Sequence, residues 1–185
     1  MSIMRKTKII AEIGINHNGN EVIARELIKA AYYSGCDAIK FQYRNLLRSY
    51  ANKNCKEIGD GLLQSEINRC YLTPDQILNL TTYAKDKYKL EVGISFFTDE
   101  DINDFNKSIN KFDFFKVPSV EFSNSKLIYK LSELDKPILL SLGCNTENTI
   151  TNQIKSFDIK KTVLLHCVSN YPVEIFNAKL GYINH

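Results

Sequence analysis

Six short apolar runs recur along the chain, each followed by a stretch with helical spacing. The runs are "KIIAEIG", "DAIKFQY", "LEVGISFF", "DFFKVPS", "KPILLSLG" and "TVLLHCVS". Behind the first, Ala24, Leu27, Ile28 and Ala31 fall at i, i+3, i+4 and i+7, which predicts a helix over 21–34 closed by Gly35. A second helix opens at "TPDQ", where Thr73 is the cap, Pro74 the first helical position and Gln76 the partner that completes a capping box. Its apolar face is Ile77, Leu80 and Ala84. Further helices are predicted over 99–110 (Ile102, Phe105, Ile109), 124–134 (Leu127, Ile128, Leu131) and 146–157 (Ile150, Ile154, Phe157). Strands that alternate with helices predict an α/β fold with parallel pairing and right-handed crossovers. From Ser95 onward the repeat is about 20–25 residues per βα unit. Between Tyr43 and Leu72 no period is visible. A stretch of that length in a compact domain reads as a functional loop or lid, and this one carries Arg44, Arg48 and Arg69.

A doubly wound open sheet and a (β/α)8 barrel share this pattern, but the polar positions separate them. Every apolar run carries a polar residue at or near its carboxyl end: Glu12; Lys40 and Gln42; Ser95; Lys116 and Ser119; Ser141; His166 and Ser169. In a barrel the carboxyl ends of many strands converge on one mouth, whereas in an open sheet only strands near the switch point supply ligand contacts. All six runs break this way, which favours the barrel. Strand alternation then puts Ala38, Lys40 and Gln42 on one face and Ile39, Phe41 and Tyr43 on the other, so Lys40 should point inward. By the same count Glu12 shares a face with Ile10, and Lys116 with Phe114. Glu12 and Lys40 can neutralise each other, since a charge removed from water needs a partner. That pairing leaves Lys116 over, and two inward lysines with several serine hydroxyls form a cradle for a phosphate-like anion. His166 reads either as a satisfied barrel-interior histidine or as a catalytic one, and His17 either as a site residue or as part of the "NHNG" turn.

Bulk properties narrow the function. A chain of 185 residues suits one domain, 1–185, and 44% hydrophobic content is that of a folded protein. Net charge is +3, with 24 basic and 21 acidic residues well mixed, so no nucleic-acid partner is expected. No run approaches a membrane span, and the amino terminus has no signal-peptide core, so no membrane partner is expected either. The five cysteines (Cys36, Cys55, Cys70, Cys144, Cys167) are odd in number and form no CxxC spacing. Reduced thiols in a cytoplasmic protein are expected. GxGxxG, P-loop, HExxH and GxSxG motifs are absent.

In sequence order, "IIAEIGINHNG", "DAIKFQ", "FKVPSVE", "KPILLSLG" and "LLHCVSNYP" resemble the N-acetylneuraminate (sialic acid) synthase family, which includes the legionaminate and pseudaminate synthases. The resemblance runs from about residue 8 to about residue 180. It implies a TIM (β/α)8 barrel that is incomplete in this chain. About six βα units would form its amino-terminal three quarters, without the last barrel strands or the family's antifreeze-like domain. Six strands do not close an eight-stranded barrel. The implied reaction joins phosphoenolpyruvate to the open-chain aldehyde of an N-acylated amino sugar. Water attacks C2, and phosphate leaves by C–O cleavage. Position by position, Lys40, Ser95, Lys116, Ser119, Ser141 and Ser169 would hold phosphoenolpyruvate. Gln42 and Glu121 would bind the sugar, Tyr171 would sit between the two substrates, and Glu12 would be a site carboxylate able to mediate proton transfer. The family uses Mn2+ or Mg2+, with histidine ligands in a "GLSDH"-type segment after strand six, so the resemblance assigns no metal ligand to this chain. His185, in "LGYINH", matches a helix-entry stretch instead. "FKVPSVE" and "SLGCNT" stand where the family has "YKI(A/G)SGE" and "STGM", which puts Pro118 and Val120 beside Ser119. A homodimer is compatible with the full-length family. The competing readings are a truncated, non-catalytic anion-binding module and another phosphate-binding barrel enzyme such as an aldolase.

Overall fold

Each of the six apolar runs becomes a strand in the computed structural model, which describes residues 7–45, 48, 65, 68–155, 161–170 and 172–184. The strands are β1 (Ile10–Gly14), β2 (Ala38–Gln42), β3 (Glu91–Ser95), β4 (Phe114–Val117), β5 (Ile138–Ser141) and β6 (Thr162–Leu165). They form one sheet in the order β1-β2-β3-β4-β5-β6, and every neighbouring pair is parallel. A doubly wound sheet reverses its order at a switch point; here each strand is added beside the last in the same direction, which is how a barrel grows. The fold is therefore α/β, an arc of six βα units from a (β/α)8 barrel.

The helices form where their caps and apolar faces say they should. In α1 (Glu21–Tyr33), the Asn20 side chain accepts from the backbone N–H groups of Val22 and Ile23, and Ala24, Ile28 and Ala31 are buried. Gly35, at φ +80°, takes the left-handed turn that ends it. In α2 (Pro74–Tyr88), both halves of the Thr73–Gln76 capping box are formed. Asn124 caps α3 (Ser125–Ser132), which buries Leu127, Ile128 and Leu131. Thr146 caps α4 (Glu147–Ile154). Phe157, assigned to this last helix from its spacing, lies outside the described residues.

The segment predicted as a helix over 99–110 differs. It is a 3₁₀ segment, Asp101–Lys111, interrupted at Asn106, whose backbone has φ +45°. Its apolar face is still the expected one, with Ile102, Phe105 and Ile109 buried. Glu100, at its start, makes no side-chain cap, but the Thr98 hydroxyl accepts from the Asp101 N–H at 3.2 Å.

Two apolar layers result. The outer faces of the strands (Ile39, Phe41, Val92, Ile94, Phe115, Leu140) pack against the helices and form the main core. A smaller cluster of Ala38, Phe114 and Leu139, with Ile10 and Leu165 against it, fills the inner face. Gly93 makes this second layer fit. A Cβ there would lie 2.1 Å from the Phe114 ring, so the missing side chain lets that ring cross β3 and floor the interior below Lys116. The last strand is poorly covered: Val163 is 49% and Leu164 42% exposed. No helix of the described residues is long and apolar enough to cross a membrane.

Candidate active site

The inner-face residues at the carboxyl ends of the strands build one charged layer. Lys40, on β2, is 6% exposed, and its ammonium donates to both Glu12 carboxylate oxygens, at 2.7 and 2.9 Å, and to Ser95 Oγ at 2.7 Å. The strand register explains the meeting: Glu12 pairs with Lys40, and Gln42 with Ser95 and Ser95 with Lys116 across the next strands. Between Glu12 and Gly14 the β1–β2 ladder slips by a bulge, with Gly14 at φ +50°. A Cβ on Gly14 would lie 2.9 Å from Glu12 Oε1. The bulge and the glycine together let the Glu12 side chain lie back along its own strand.

Lys116 is the cation left over. Among the described residues no hydrogen-bond acceptor is found for its ammonium, although the Glu12 carboxylate and the Cys167 sulfur act on it electrostatically. Burial pulls both lysines below the ordinary lysine value; Glu12 partly opposes this at each, and at Lys40 the neighbouring Lys116 charge adds to the downward pull. A mouth with one buried and one half-buried ammonium group and one shared carboxylate carries excess positive charge.

The serines fall into two groups. Ser95 is bonded to Lys40. Ser141, on β5, is 1% exposed, and its Oγ has no hydrogen-bond partner among the described residues, an uncompensated buried hydroxyl of the kind that marks a ligand position. Ser119 and Ser169 follow β4 and β6 and converge on Gly143 in the β5–α4 loop. Glu121, in the 3₁₀ turn Ser119–Glu121, accepts from the Asn124 side chain at 2.9 Å and has no described contact with the Lys40 group. Pro118 precedes that turn, and its carbonyl accepts from the Glu121 N–H at 2.9 Å. Tyr171 lies outside the described residues, as does His185.

Both described histidines are engaged elsewhere. His17 is 2% exposed, and its Nδ1 accepts from the Gly19 N–H at 3.1 Å, so it organises the loop after β1. Burial lowers its pKa, partly opposed by the Gly14 backbone. His166 is not in the barrel interior, where its place at a strand end put it. Its Nε2 lies 2.7 Å from the Ala178 carbonyl oxygen, and its ring stacks on Tyr182. The reason is alternation: Leu165 belongs to the inner cluster, so His166 faces the outer side. The same two-residue count that placed Lys40 inward excludes His166.

Several residues do structural work around the mouth through partners that the sequence did not indicate. Arg48 is held by Asp101 at 3.2 Å and by Asp104 at 2.8 Å, and Tyr43 donates to Asp104 at 2.6 Å. This anchors the chain leaving β2 to the 3₁₀ segment. Arg44 stacks its guanidinium 4.7 Å from the centre of the Phe97 ring. Gly143, Asn145 and Cys167 also border the mouth.

The sequence profile of the NeuB family matches residues 27–185. The chain belongs to the NeuB family. Among relatives, N,N'-diacetyllegionaminic acid synthase of Campylobacter jejuni is 30% identical, covering 98% of this chain and 61% of the relative. N-acetylneuraminate-9-phosphate synthase of Drosophila melanogaster is 30% identical, covering 95% of this chain and 49% of the relative. The crystal structure of N-acetylneuraminic acid synthetase from Leptospira borgpetersenii, in complex with citrate, superposes with a TM-score of 0.81 at 26% identity, covering 97% of this chain and 60% of that one. This NeuB-family chain spans about half the length of the curated relatives it matches.

Proposed function

We propose that this chain contributes the phosphoenolpyruvate side of a nonulosonate synthase site, which joins phosphoenolpyruvate to the open-chain aldehyde of an N-acylated amino sugar and releases phosphate. The observation that carries the reading is the charge imbalance of the mouth: Lys40 is matched by Glu12, while Lys116, inward and half-buried, faces the same space without a described acceptor. A trianionic substrate supplies the missing negative charge in a site where buried ammonium groups act strongly. Lys40, Lys116, Ser95, Ser119, Ser141 and Ser169 would hold phosphoenolpyruvate. Gln42 and Glu121 would bind the sugar, and Tyr171 would sit between the two substrates.

In the proposed sequence C3 of phosphoenolpyruvate forms the new C–C bond to the aldehyde carbon. Water adds at C2, and the tetrahedral intermediate expels phosphate by breaking its C2–O bond. The lysines would hold the phosphate through this charge build-up, and Glu12, hydrogen-bonded to Lys40, would pass a proton. The described residues do not fit a metal: no group of three or more His, Cys, Asp or Glu side chains able to hold an ion occurs among them. The Mn2+ or Mg2+ of the family's chemistry would take its ligands elsewhere, and no step above is routed through it. We place the reaction in the cytoplasm, and assembly as a homodimer belongs to the same proposal.

The test follows phosphate release from phosphoenolpyruvate in the presence of manganese and N-acetylmannosamine. Sugar-dependent release supports the synthase. Phosphoenolpyruvate binding without release in the presence of any N-acylated amino sugar would leave only the anion-binding module.

A further inference from the structure

The β5 strand ends in a tight turn that touches both of its neighbours. Asn145 N–H donates to the Leu142 carbonyl at 3.3 Å, and Cys144 adopts φ +63°. The turn carries Gly143 between the residues that follow β4 and β6. A Cβ at position 143 would lie 2.3 Å from Ser169 Oγ, 2.9 Å from Ser119 Oγ and 3.2 Å from the Cys167 carbonyl oxygen. Two hydroxyls from different strands thus crowd one side of the Gly143 backbone, and only a residue without a Cβ lets both come this close.

One side chain fixes the Ser119 side of this arrangement to the turn. The Asn145 amide Nδ2 donates to the Gly143 carbonyl at 2.8 Å and reaches the Ser119 carbonyl at 3.3 Å and the Leu142 carbonyl at 3.5 Å. The bonds to Gly143 and Leu142 are local to the turn. The bond to Ser119 crosses from β5 to β4, and it takes the backbone oxygen of Ser119, which leaves the Ser119 hydroxyl available to a ligand.

Resting on the phosphoenolpyruvate reading of the mouth, we infer that Asn145 is a positioning residue that ties the β4–α3 loop to the β5–α4 loop, so that the Ser119 and Ser169 hydroxyls close on one tetrahedral oxyanion above Gly143. The oxyanion would be the phosphate of phosphoenolpyruvate before reaction and inorganic phosphate after it. A shift of a few tenths of an ångström in the β4–α3 loop moves the Ser119 hydroxyl away from that of Ser169 and weakens the shared hold on the anion.

The experiment titrates the intact chain calorimetrically with inorganic phosphate and records each variant's thermal midpoint. Asn145→Ala is expected to weaken phosphate binding about five- to tenfold, the worth of one hydrogen bond's geometry, at an unchanged midpoint. Asn145→Asp keeps the volume but cannot donate, and is expected to lose at least as much. Gly143→Ala is expected to lose at least as much again, because its methyl group would push both serine hydroxyls out of place. Parent-like affinity in Asn145→Asp would show that side-chain volume, not the N–H donor, matters, and would overturn the inference. So would an affinity loss that only accompanies a fall in midpoint. Lys40→Ala separates the two levels. If it abolishes phosphate binding while both Asn145 variants bind normally, the positioning role is wrong and the anion site stands. If Lys40→Ala also binds normally, the anion site itself is wrong.

Discussion

Lys40 and Lys116 are held in the barrel interior by the strand register, and burial keeps both ammonium groups below the ordinary lysine value of 10.5. The sign of the consequence follows directly. As pH rises, these two lysines discharge before exposed lysines do, and the site loses its positive charge. Phosphoenolpyruvate stays fully ionised well below this range, so its affinity is expected to fall with a midpoint under 10.5. Glu12 opposes the downward shift at both lysines, so Glu12→Gln is expected to move that midpoint lower; titrations at successive pH values check it, and a midpoint that rises or stays would contradict the assignment. Gly93 matters through the ring beside it. A methyl group there meets Phe114 inside van der Waals contact, and Gly93→Ala is expected to destabilise the protein by about 1–3 kcal/mol, read from the denaturation midpoint. At this scale the inward lysines were legible from two-residue alternation alone. Glycine 93, the Arg48–Asp104 pair and the Asn145 bridge were not, because each exists only when segments distant in sequence pack together.

Among the elements, those with complete local signals came out as read. The Thr73-Pro74-Gln76 start of α2 needs only neighbouring residues, and it forms; the Asn20 and Asn124 caps, not read from the sequence, form beside it. The 3₁₀ segment Asp101–Lys111 kept its apolar face but not its helix type: residue spacing reports which side is buried and says nothing of a backbone turn at Asn106. The loop after β1 is held by a buried neutral histidine. The folded His17 pKa lies below its ordinary 6.5, so below that pH the unfolded chain takes up a proton that the native loop resists. Stability therefore falls as pH drops through and below 6.5, until the native His17 is itself protonated. His17→Gln is expected to flatten this fall, measured by denaturant unfolding at a series of pH values between about 7.5 and 5. An unchanged pH slope would mean that His17 does not set it.

For the whole molecule, the strand order decides the architecture. Six parallel strands added in sequence, with no reversal, curve their carboxyl ends toward one mouth, and the six polar breaks of the sequence were the visible trace of that convergence. Each of the six breaks places at least one side chain at the mouth; in the sixth, Ser169 does so while His166 faces away. The outer side carries a different surface. A cleft of about 420 Å³ lined by Leu142, Ile150, Ile154, Leu164, His166 and Ile183 lies between α4 and β6. It has no part in the charged mouth. The mouth is tested most directly by titrating the protein with phosphoenolpyruvate and comparing the parent with Lys40→Ala and Lys116→Ala. If the two buried ammonium groups hold the substrate, each variant loses at least about tenfold in affinity, some 1.5 kcal/mol for a charge-assisted contact. Affinity equal to the parent's in both variants would contradict the anion site.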